Sequence, residues 1–440
     1  MEQKKTAREA ALLALTACER QGAWADGTLK KILRETGLDS REAGLATRLC
    51  FGVLQNRMWL DFHLSQFSST SLDQLDCCVL GALRLGTYQM LCMDRVPVHA
   101  AVNESVNLAR KYAKNPRAAG LVNGVLRALE RSKGELAQPE DWSIRYSHPK
   151  WLVDALDQAL GGVGTQALLA ANNAPPPTVA QVNALRFSTE EVLSLLKKEG
   201  IEAQRHPWVP DCLLLQGTGN LEQCSAFQAG AFLVQDSGAK LAVLAAGPEP
   251  GMRVLDVCAA PGGKSFAAAI RMGDQGKICS CDIHTHKERL IQAGARRLGI
   301  SMIRTAIQDG KKRRPEWENS FDLVLADVPC SGLGIIRKKP DIRYKDPKPL
   351  EGLPDVQRAI LDNVSAYVRP GGVLFYATCT LLERENDAVT KDFLDRHSNF
   401  TLEYFQLPDP IGGVERGAIT LWPHLHGTDG FYFAKLRRKA

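Results

Sequence analysis

Three apolar runs, each followed at once by a short polar motif, constrain the fold of this chain more than any other feature. The runs cover residues 253–258, 321–326 and 372–376, and each has the length and composition of a buried β-strand. In an open α/β sheet the carboxyl ends of the strands meet at one edge, where ligands bind. The sequence therefore predicts an α/β sheet that brings three motifs to a single site.

The motif after the first run is a glycine loop, Cys258-Ala-Ala-Pro-Gly-Gly-Lys264. Its glycines allow the backbone to approach a ligand closely, and its spacing fits neither the G-x-G-x-x-G motif nor the P-loop, which disfavours NAD and ATP. Carboxylates at later strand ends, Asp282 and Asp309, suit ribose hydroxyls and an adenine amine respectively. Carboxylates also suit a sulfonium cation, so the pattern predicts S-adenosylmethionine. The alternative is a tight strand-to-helix turn with incidental aspartates.

The other two motifs, Asp327-Val-Pro-Cys330 and Thr378-Cys379-Thr380, place a thiol after each of two strands. C5 of cytosine accepts a methyl group only after a thiolate has added to C6, and a second group is useful for the later elimination. A lone cysteine is more often a small buried apolar residue, but two at neighbouring strand ends favour covalent catalysis. We expect Asp327 to hydrogen-bond the edge of the base.

Composition sets the protein class. A chain of 440 residues with 45% hydrophobic and 24% charged residues is expected to form two or three globular domains. It has no apolar run of about 18 residues and no secretion signal, so we expect 12 reduced cysteines and a cytoplasmic location. Two basic runs, 311–314 and 337–339, the second followed by Arg343, Lys345 and Lys348, favour a polyanionic partner over an ordinary solvated face.

The periodicity of apolar residues divides the chain into three parts. Residues 1–140 are predicted to be all-helical, and residues 145–234 to form a small α+β unit that includes a capping box at 188–191. Residues 235–440 are predicted to form a doubly wound parallel sheet followed by a terminal antiparallel pair. The predicted helices of the first part cover residues 6–20, 28–36, 40–64, 72–91, 99–113 and 118–130. The predicted strands of the last part cover residues 253–258, 277–282, 302–307, 322–326 and 372–377, with 401–406 and 431–436 as the pair.

Four motifs resemble the RNA cytosine-C5 methyltransferase family, the Sun and nucleolar-protein group: residues 259–264, 327–334, 378–379 and 428–434. The N-terminal helices, especially 95–106 and 121–127, resemble the NusB RNA-binding fold. The resemblance implies a multidomain protein. An all-α NusB-like RNA-binding domain would occupy 1–140, and an α+β linker or RNA-binding subdomain 145–234. A Rossmann-like S-adenosylmethionine-dependent methyltransferase domain would occupy 235–440.

The resemblance also implies roles for individual residues. The Thr-Cys motif supplies the nucleophile, Cys379, and the Pro-Cys motif supplies Cys330, the thiol that assists release. Because the chain has both thiols, the resemblance favours RNA over DNA as the substrate. Thr380, where serine is usual, and residues 235–238 depart from the family pattern without touching the chemistry. The implied cofactor-binding residues are Cys258, Ala259, Ala260, Pro261, Gly262, Gly263, Lys264, Asp282, Asp309 and Asp327.

The implied partner is small-subunit (16S) ribosomal RNA, unassembled or early in assembly, bound by a monomer without a metal ion or a membrane. Two alternatives remain open from the sequence. One is a transfer RNA cytosine-C5 methyltransferase. The other is a non-catalytic RNA-binding assembly factor.

Overall fold

The computed structural model describes residues 5–440 and divides them into two units. The helical unit comprises the chain up to Ala174 together with Ile336–Lys345. The α/β unit comprises Pro175–Ile335 and Asp346–Ala440. In the part of the chain that the structure describes, no helix is long and apolar enough to cross a membrane.

Amphipathic helices build the helical unit around an apolar core that includes Leu12, Leu49 and Leu83, all fully buried. A capping box begins the first helix: the Thr6 side chain accepts from the Glu9 amide, and the Glu9 carboxylate accepts from the Thr6 amide. The helices are α1 (Ala7–Gln21), α2 (Ala25–Thr36), α3 (Ser40–Gln55), α4 (Arg57–Ser65), α5 (Cys77–Cys92), α6 (Val98–Tyr112), α7 (Ala118–Arg131), α8 (Trp142–Arg145) and α9 (Lys150–Asn173).

Two differences from the predicted helices have local causes. The helix predicted over 40–64 divides at Asn56, whose side-chain amide donates to the Gly52 carbonyl at 2.8 Å and whose φ of −110° is not helical. The long helix α9 was not predicted, because the small residues in its middle conceal the helical period and Gly161 kinks it with a φ of 69°. The helical unit therefore continues to Ala174, beyond the predicted end at residue 140.

The segment Ile336–Lys345 belongs to the helical unit, although it follows the Cys330 motif in the chain. Arg343 in this segment is fully buried. Its Nη1 donates to the carbonyl oxygens of Tyr146 (3.3 Å) and Ser147 (3.0 Å) and to Asn173 Oδ1 (3.0 Å). Lys345 Nζ donates to the carbonyl oxygens of Gly22 (2.5 Å) and Ala23 (2.9 Å). The prediction that Arg343 offers its charge to a polyanion is wrong, because that charge is buried.

The first part of the α/β unit is the predicted α+β domain. Its antiparallel sheet has the strand order β2-β3-β1-β4 and carries two helices. The predicted capping box is confirmed, since Ser188 and Glu191 exchange both hydrogen bonds at the start of α10. The elements are β1 (Thr178–Val182), α10 (Thr189–Lys198), β2 (Glu202–Arg205), β3 (Cys212–Gln216), α11 (Ser225–Gln228) and β4 (Phe232–Val234).

The remaining chain forms one large sheet with the path β10-β14-β9-β8-β5-β6-β7, in which β13 also pairs with β14, and a separate two-stranded sheet of β11 and β12. Its helices are α12 (Ser237–Ala246), α13 (Gly263–Arg271), α14 (Thr285–Leu298), α15 (Leu353–Ser365), α16 (Asp387–Arg396) and α17 (Pro423–His426). Its main strands are β5 (Arg253–Asp256), β6 (Lys277–Asp282), β7 (Ile303–Ile307), β8 (Phe321–Asp327) and β9 (Val368–Thr378). The later strands are β10 (Phe400–Leu402), β11 (Phe405–Gln406), β12 (Gly413–Val414), β13 (Ala418–Leu421) and β14 (Phe431–Arg438).

The predicted parallel order is confirmed for five neighbouring strands, β9-β8-β5-β6-β7. The sheet as a whole is mixed, because β14 runs antiparallel between β9 and β10. The strand predicted over 401–406 divides: β10 pairs with β14, whereas Phe405 is buried and β11 pairs with β12. The five parallel strands end at the edge that carries the predicted motifs.

Candidate active site

The two thiols of the predicted site lie in contact. Strands β8 and β9 are parallel neighbours with Asp327 opposite Ala377, so the loops that follow them emerge side by side. The Sγ atoms of Cys330 and Cys379 are 3.3 Å apart, and the Cys379 amide donates to Cys330 Sγ at 3.3 Å. Both side chains are half-buried. The structure therefore brings together the two cysteines that the sequence analysis singled out.

Gly334 allows the Cys330 loop to lie against the Cys379 turn. Its amide donates to the Cys379 carbonyl at 2.9 Å, and its carbonyl accepts from the Gly430 amide at 2.8 Å. A methyl group on Gly334 would overlap the Gly430 carbonyl and lie 2.8 Å from the Cys379 oxygen. A residue with a side chain would separate the loops, so glycine is required here.

Cys330 holds its proton more tightly than an ordinary cysteine does. The hydrogen bond with Cys379 raises the pKa of Cys330 well above its ordinary value, and burial raises it further. Cys330 therefore keeps its proton and can donate it toward the Cys379 sulfur. This arrangement favours Cys379 as the nucleophile of the pair, because the thiolate is the reactive form.

Lys264 and Asp327 form an ion pair beside the thiols. Lys264 Nζ lies 2.6 Å from Asp327 Oδ2, and it also lies 5.0 Å from the centre of the Phe431 ring. Burial lowers the pKa of Lys264, but the charge of Asp327 outweighs burial, and the net pKa is raised. The amine of the glycine loop's last residue is thus charged and engaged with Asp327.

The glycine loop has the geometry of a ligand-binding turn. Strand β5 ends at Asp256, so Val257 and Cys258 belong to the loop and not to the predicted strand. Gly262 adopts a φ of 112°, and a side chain there would overlap the Phe266 ring. The Ala259 amide donates to the Cys281 carbonyl at 2.8 Å, which ties the loop to β6. Burial raises the pKa of Cys258, so this thiol stays neutral.

Two predicted carboxylates stand at the ends of the next strands. Asp282 is the last residue of β6; it is 6% exposed, and its Oδ1 accepts from the His284 amide at 3.0 Å. Asp309 follows β7, and its Oδ1 accepts from the Lys311 amide at 3.0 Å. Hydrogen-bond acceptors at this edge fit the hydroxyl and amine donors of S-adenosylmethionine. No group of three metal-ligating side chains occurs among residues 5–440.

Sequence reasoning missed three buried polar residues near the site. Asp256 is fully buried, accepts from the Ser265 hydroxyl at 2.6 Å, and has its pKa raised by burial to about 7. Glu385 and Asn386 are buried in the turn that follows the Cys379 motif. In the sequence, Glu385 and Asn386 look like ordinary polar residues at the start of a helix, and nothing in it indicates that they contact distant residues.

Comparison with known proteins gives matches along three segments. Residues 243–437 match the model of the family described as 16S rRNA methyltransferase RsmB/F. Residues 5–131 match the NusB family, and residues 148–222 match the ferredoxin-like domain described as Methyltr_RsmF/B-like.

Relatives match over nearly the whole chain. A probable ribosomal RNA small subunit methyltransferase B from Bacillus subtilis is 35% identical, over 99% of this chain and 99% of the relative. A ribosomal RNA small subunit methyltransferase B from Erwinia tasmaniensis is 34% identical, over 91% and 92%. Among solved structures, PH0851 is 25% identical with a TM-score of 0.82 and covers 98% of each chain.

Proposed function

The chain belongs to the RsmB/F family of 16S rRNA methyltransferases, and we propose that it methylates C5 of a cytosine in small-subunit ribosomal RNA. The proposed reaction passes through a covalent bond between Cys379 Sγ and C6 of the base. The observation that carries the proposal is the contact between Cys330 and Cys379, because two thiols at one point suit addition followed by elimination.

The proposed methyl donor is S-adenosylmethionine. The glycine loop, residues 258–264, would lie against it, with Asp282 accepting from the ribose hydroxyls and Asp309 from the adenine amine. When bound, the cofactor supplies an electrophilic methyl group. The chain's own contribution is to hold the nucleophile, the base and the proton-carrying groups.

The first proposed step is attack by Cys379. The Cys379 thiol gives up its proton to solvent and the thiolate adds to C6, while Cys330, whose pKa is raised, keeps its own proton. Addition moves electron density to C5 and toward the O2–N3 side of the ring. The carboxylate of Asp327 accepts from the exocyclic amine of the base, or from N3 once N3 has gained a proton, and the charged amine of Lys264 keeps Asp327 in place through their 2.6 Å contact.

The second proposed step is release, after C5 has gained its methyl group. The C5–H bond breaks and its electron pair restores the C5–C6 double bond, while the C6–S bond breaks with its pair going to Cys379. Cys330 hands its proton to the departing sulfur and takes up the proton from C5. The 3.3 Å separation of the sulfurs supports direct transfer of the proton from Cys330 to the Cys379 sulfur.

RNA binding is proposed for exposed cations of both units. Lys311 and Lys312 are exposed on the loop after β7, and Lys348 is exposed on the segment after residue 345. In the same basic run, Arg313 pairs with Glu318 and Arg314 with Glu316, so part of its charge is neutralised. The NusB-like helical unit is proposed to add affinity and positioning.

Incubation of the purified protein with S-adenosylmethionine bearing a labelled methyl group tests this function. Unmodified 16S rRNA and a transfer RNA mixture serve as separate substrates, followed by nucleoside analysis and bisulfite mapping. We expect label in 5-methylcytidine at one position of 16S rRNA. Label in transfer RNA alone would identify transfer RNA as the substrate. No label in either RNA would favour a non-catalytic assembly factor.

A further inference from the structure

Glu385 and Asn386 are adjacent polar residues in a buried turn between the Cys379 motif and α16. Their side chains are 0% and 3% exposed, although a buried carboxylate is costly unless it is well bonded. Neither residue belongs to the motifs that identify the site. Their hydrogen bonds converge on the two loops that carry the thiols.

Glu385 binds both sides of Cys330. Its Oε2 accepts from the Ser331 amide at 2.9 Å and from Gln357 Nε2 at 2.9 Å. The same Gln357 nitrogen donates to the Pro329 carbonyl at 3.0 Å. Thus the residue before Cys330 and the residue after it are both fixed, one directly and one through Gln357.

Asn386 binds both sides of Cys379. Its Oδ1 accepts from the Thr378 hydroxyl at 2.6 Å, and its Nδ2 donates to the Thr380 carbonyl at 3.1 Å. The Thr380 hydroxyl lies 2.6 Å from the Ser331 hydroxyl, which joins the two loops directly.

The turn itself is anchored to the sheet and to a helix. The Tyr376 hydroxyl, on β9, donates to the Glu385 carbonyl at 2.6 Å. The Asn386 carbonyl accepts from the amides of Val389 and Thr390 in the first turn of α16. Neighbouring residues of one anchored turn therefore hydrogen-bond to two loops that are far apart in the sequence.

We propose that Glu385 and Asn386 are positioning residues that act as a clamp, holding the Cys330 and Cys379 sulfurs at contact distance for the release step. The inference rests on the proposed function, because it assigns the clamp to the exchange of a proton between these thiols. Loosening either half separates the sulfurs, and a displacement of about 1 Å costs on the order of 100-fold in rate.

The test begins with the full-length protein and four variants. Glu385→Ala and Asn386→Ala remove one half of the clamp each. Glu385→Gln keeps an oxygen that accepts from the Ser331 amide. Glu383→Ala is the matched control, because Glu383 lies in the same turn and is exposed. We expect kcat to fall on the order of 100-fold in both clamp variants, with KM for RNA unchanged, and to recover substantially in Glu385→Gln.

A second measurement separates positioning from general damage. Iodoacetamide alkylates Cys330, and peptide mass mapping measures the extent of alkylation at each pH. This pH profile reports the contact of Cys330 with Cys379. Because that contact raises the pKa of Cys330, we expect the profile to shift to lower pH in both alanine variants and to stay in place in Glu383→Ala. If the alanine variants do not fold, Glu385→Gln and Asn386→Asp replace them, because each keeps a hydrogen-bond acceptor. We then expect the pH profile of Cys330 alkylation to shift to lower pH by a smaller amount.

Two results would overturn the clamp: wild-type kcat in the alanine variants, or a reduced kcat with an unshifted alkylation profile. Failure of the proposed function is distinguishable from both. A wild-type protein that methylates another atom of the RNA would refute cytosine-C5 chemistry, whereas the alkylation profile, recorded without RNA or cofactor, would still decide whether the clamp holds the thiols together.

Discussion

At the scale of single residues, Asp256 gives the α/β unit a pH-dependent stability. Burial raises the pKa of this carboxyl from 3.8 to about 7. Between these values the folded state retains a proton that the unfolded chain has lost. Stability of the folded state therefore falls as pH rises through this window and levels off above about pH 7.

Asp256→Asn should remove this dependence, because the amide keeps an acceptor for Ser265 and does not ionise. The free energy of unfolding of the variant, relative to wild type, should rise by up to about 1.4 kcal/mol per pH unit as pH rises toward 7. Denaturant unfolding of both proteins, followed by a probe in the α/β unit, measures this. Parallel pH curves for the two proteins would show that Asp256 is ionised throughout.

Asp282 should carry the cofactor affinity assigned to it. Replacement by alanine removes a nearly buried acceptor, and we expect it to weaken S-adenosylmethionine binding by about 1–3 kcal/mol. Lys287→Ala is the control, since Lys287 Nζ lies 3.5 Å from the same carboxylate and its loss leaves the acceptor intact. Calorimetry that finds equal affinities for wild type and Asp282→Ala would remove Asp282 from the ribose role.

Sequence reasoning located the residues with chemical motifs and missed those whose role depends on burial. Cys330, Cys379 and the glycine loop follow apolar runs, so strand periodicity alone predicts that they share an edge. Glu385 gives no such signal. Its importance arises from Ser331 and Gln357, which pack against it only after the chain has folded.

At the scale of elements, the strands were easier to predict than the segment Ile336–Lys345. The central strands β8 and β9 contain continuous apolar runs, residues 323–326 and 373–377, as expected for parallel strands that are covered on both faces. The segment has a basic sequence, and its charge led to the prediction that its side chains are exposed to a polyanionic partner. Its Arg343 is buried, and its guanidinium donates to the Tyr146 and Ser147 carbonyls, a contact between distant residues that the local sequence does not reveal.

Arg343→Ala should therefore destabilise the helical unit. Removing the guanidinium takes one donor each from the Tyr146 carbonyl, the Ser147 carbonyl and Asn173 Oδ1, which costs about 1–3 kcal/mol of the free energy of unfolding. Lys348→Ala removes an exposed cation from the same stretch of sequence and should leave stability unchanged while weakening RNA binding. Denaturant unfolding and RNA titration on both variants check this pair. The reverse pattern would return Arg343 to the RNA-binding surface.

At the scale of the whole molecule, the predicted order of a helical part, an α+β part and a methyltransferase part is confirmed by the fold and the family matches. The sequence predicted a parallel sheet followed by a terminal antiparallel pair, and that pair is present as β10 with β14. The prediction lacked the pairing of β14 with β9, which joins the pair to the parallel strands, because local periodicity does not encode a contact between distant residues.

The helical unit should contribute RNA affinity and no chemistry. The end of α6 and the loop before α7 expose Arg110, Lys111, Lys114 and Arg117. Lys114→Glu combined with Arg117→Glu should weaken RNA binding and leave cofactor affinity unchanged. The slope of log affinity against log salt concentration should fall by the equivalent of roughly one to two phosphate contacts. Lys30→Glu combined with Lys31→Glu makes the same change of charge on α2. Equal losses in both double variants would indicate a diffuse charge effect instead of a recognition surface.

The covalent mechanism is tested most directly by denaturing gel electrophoresis of Cys379→Ala and Cys330→Ala after incubation with 16S rRNA and S-adenosylmethionine. Without Cys379 no bond to C6 forms, so that variant should lose methylation and give no protein–RNA band. Without Cys330 the adduct still forms and gains its methyl group but is released slowly, so a protein–RNA band should accumulate. A band from Cys379→Ala with none from Cys330→Ala would exchange the two roles, and full activity in both variants would contradict covalent catalysis.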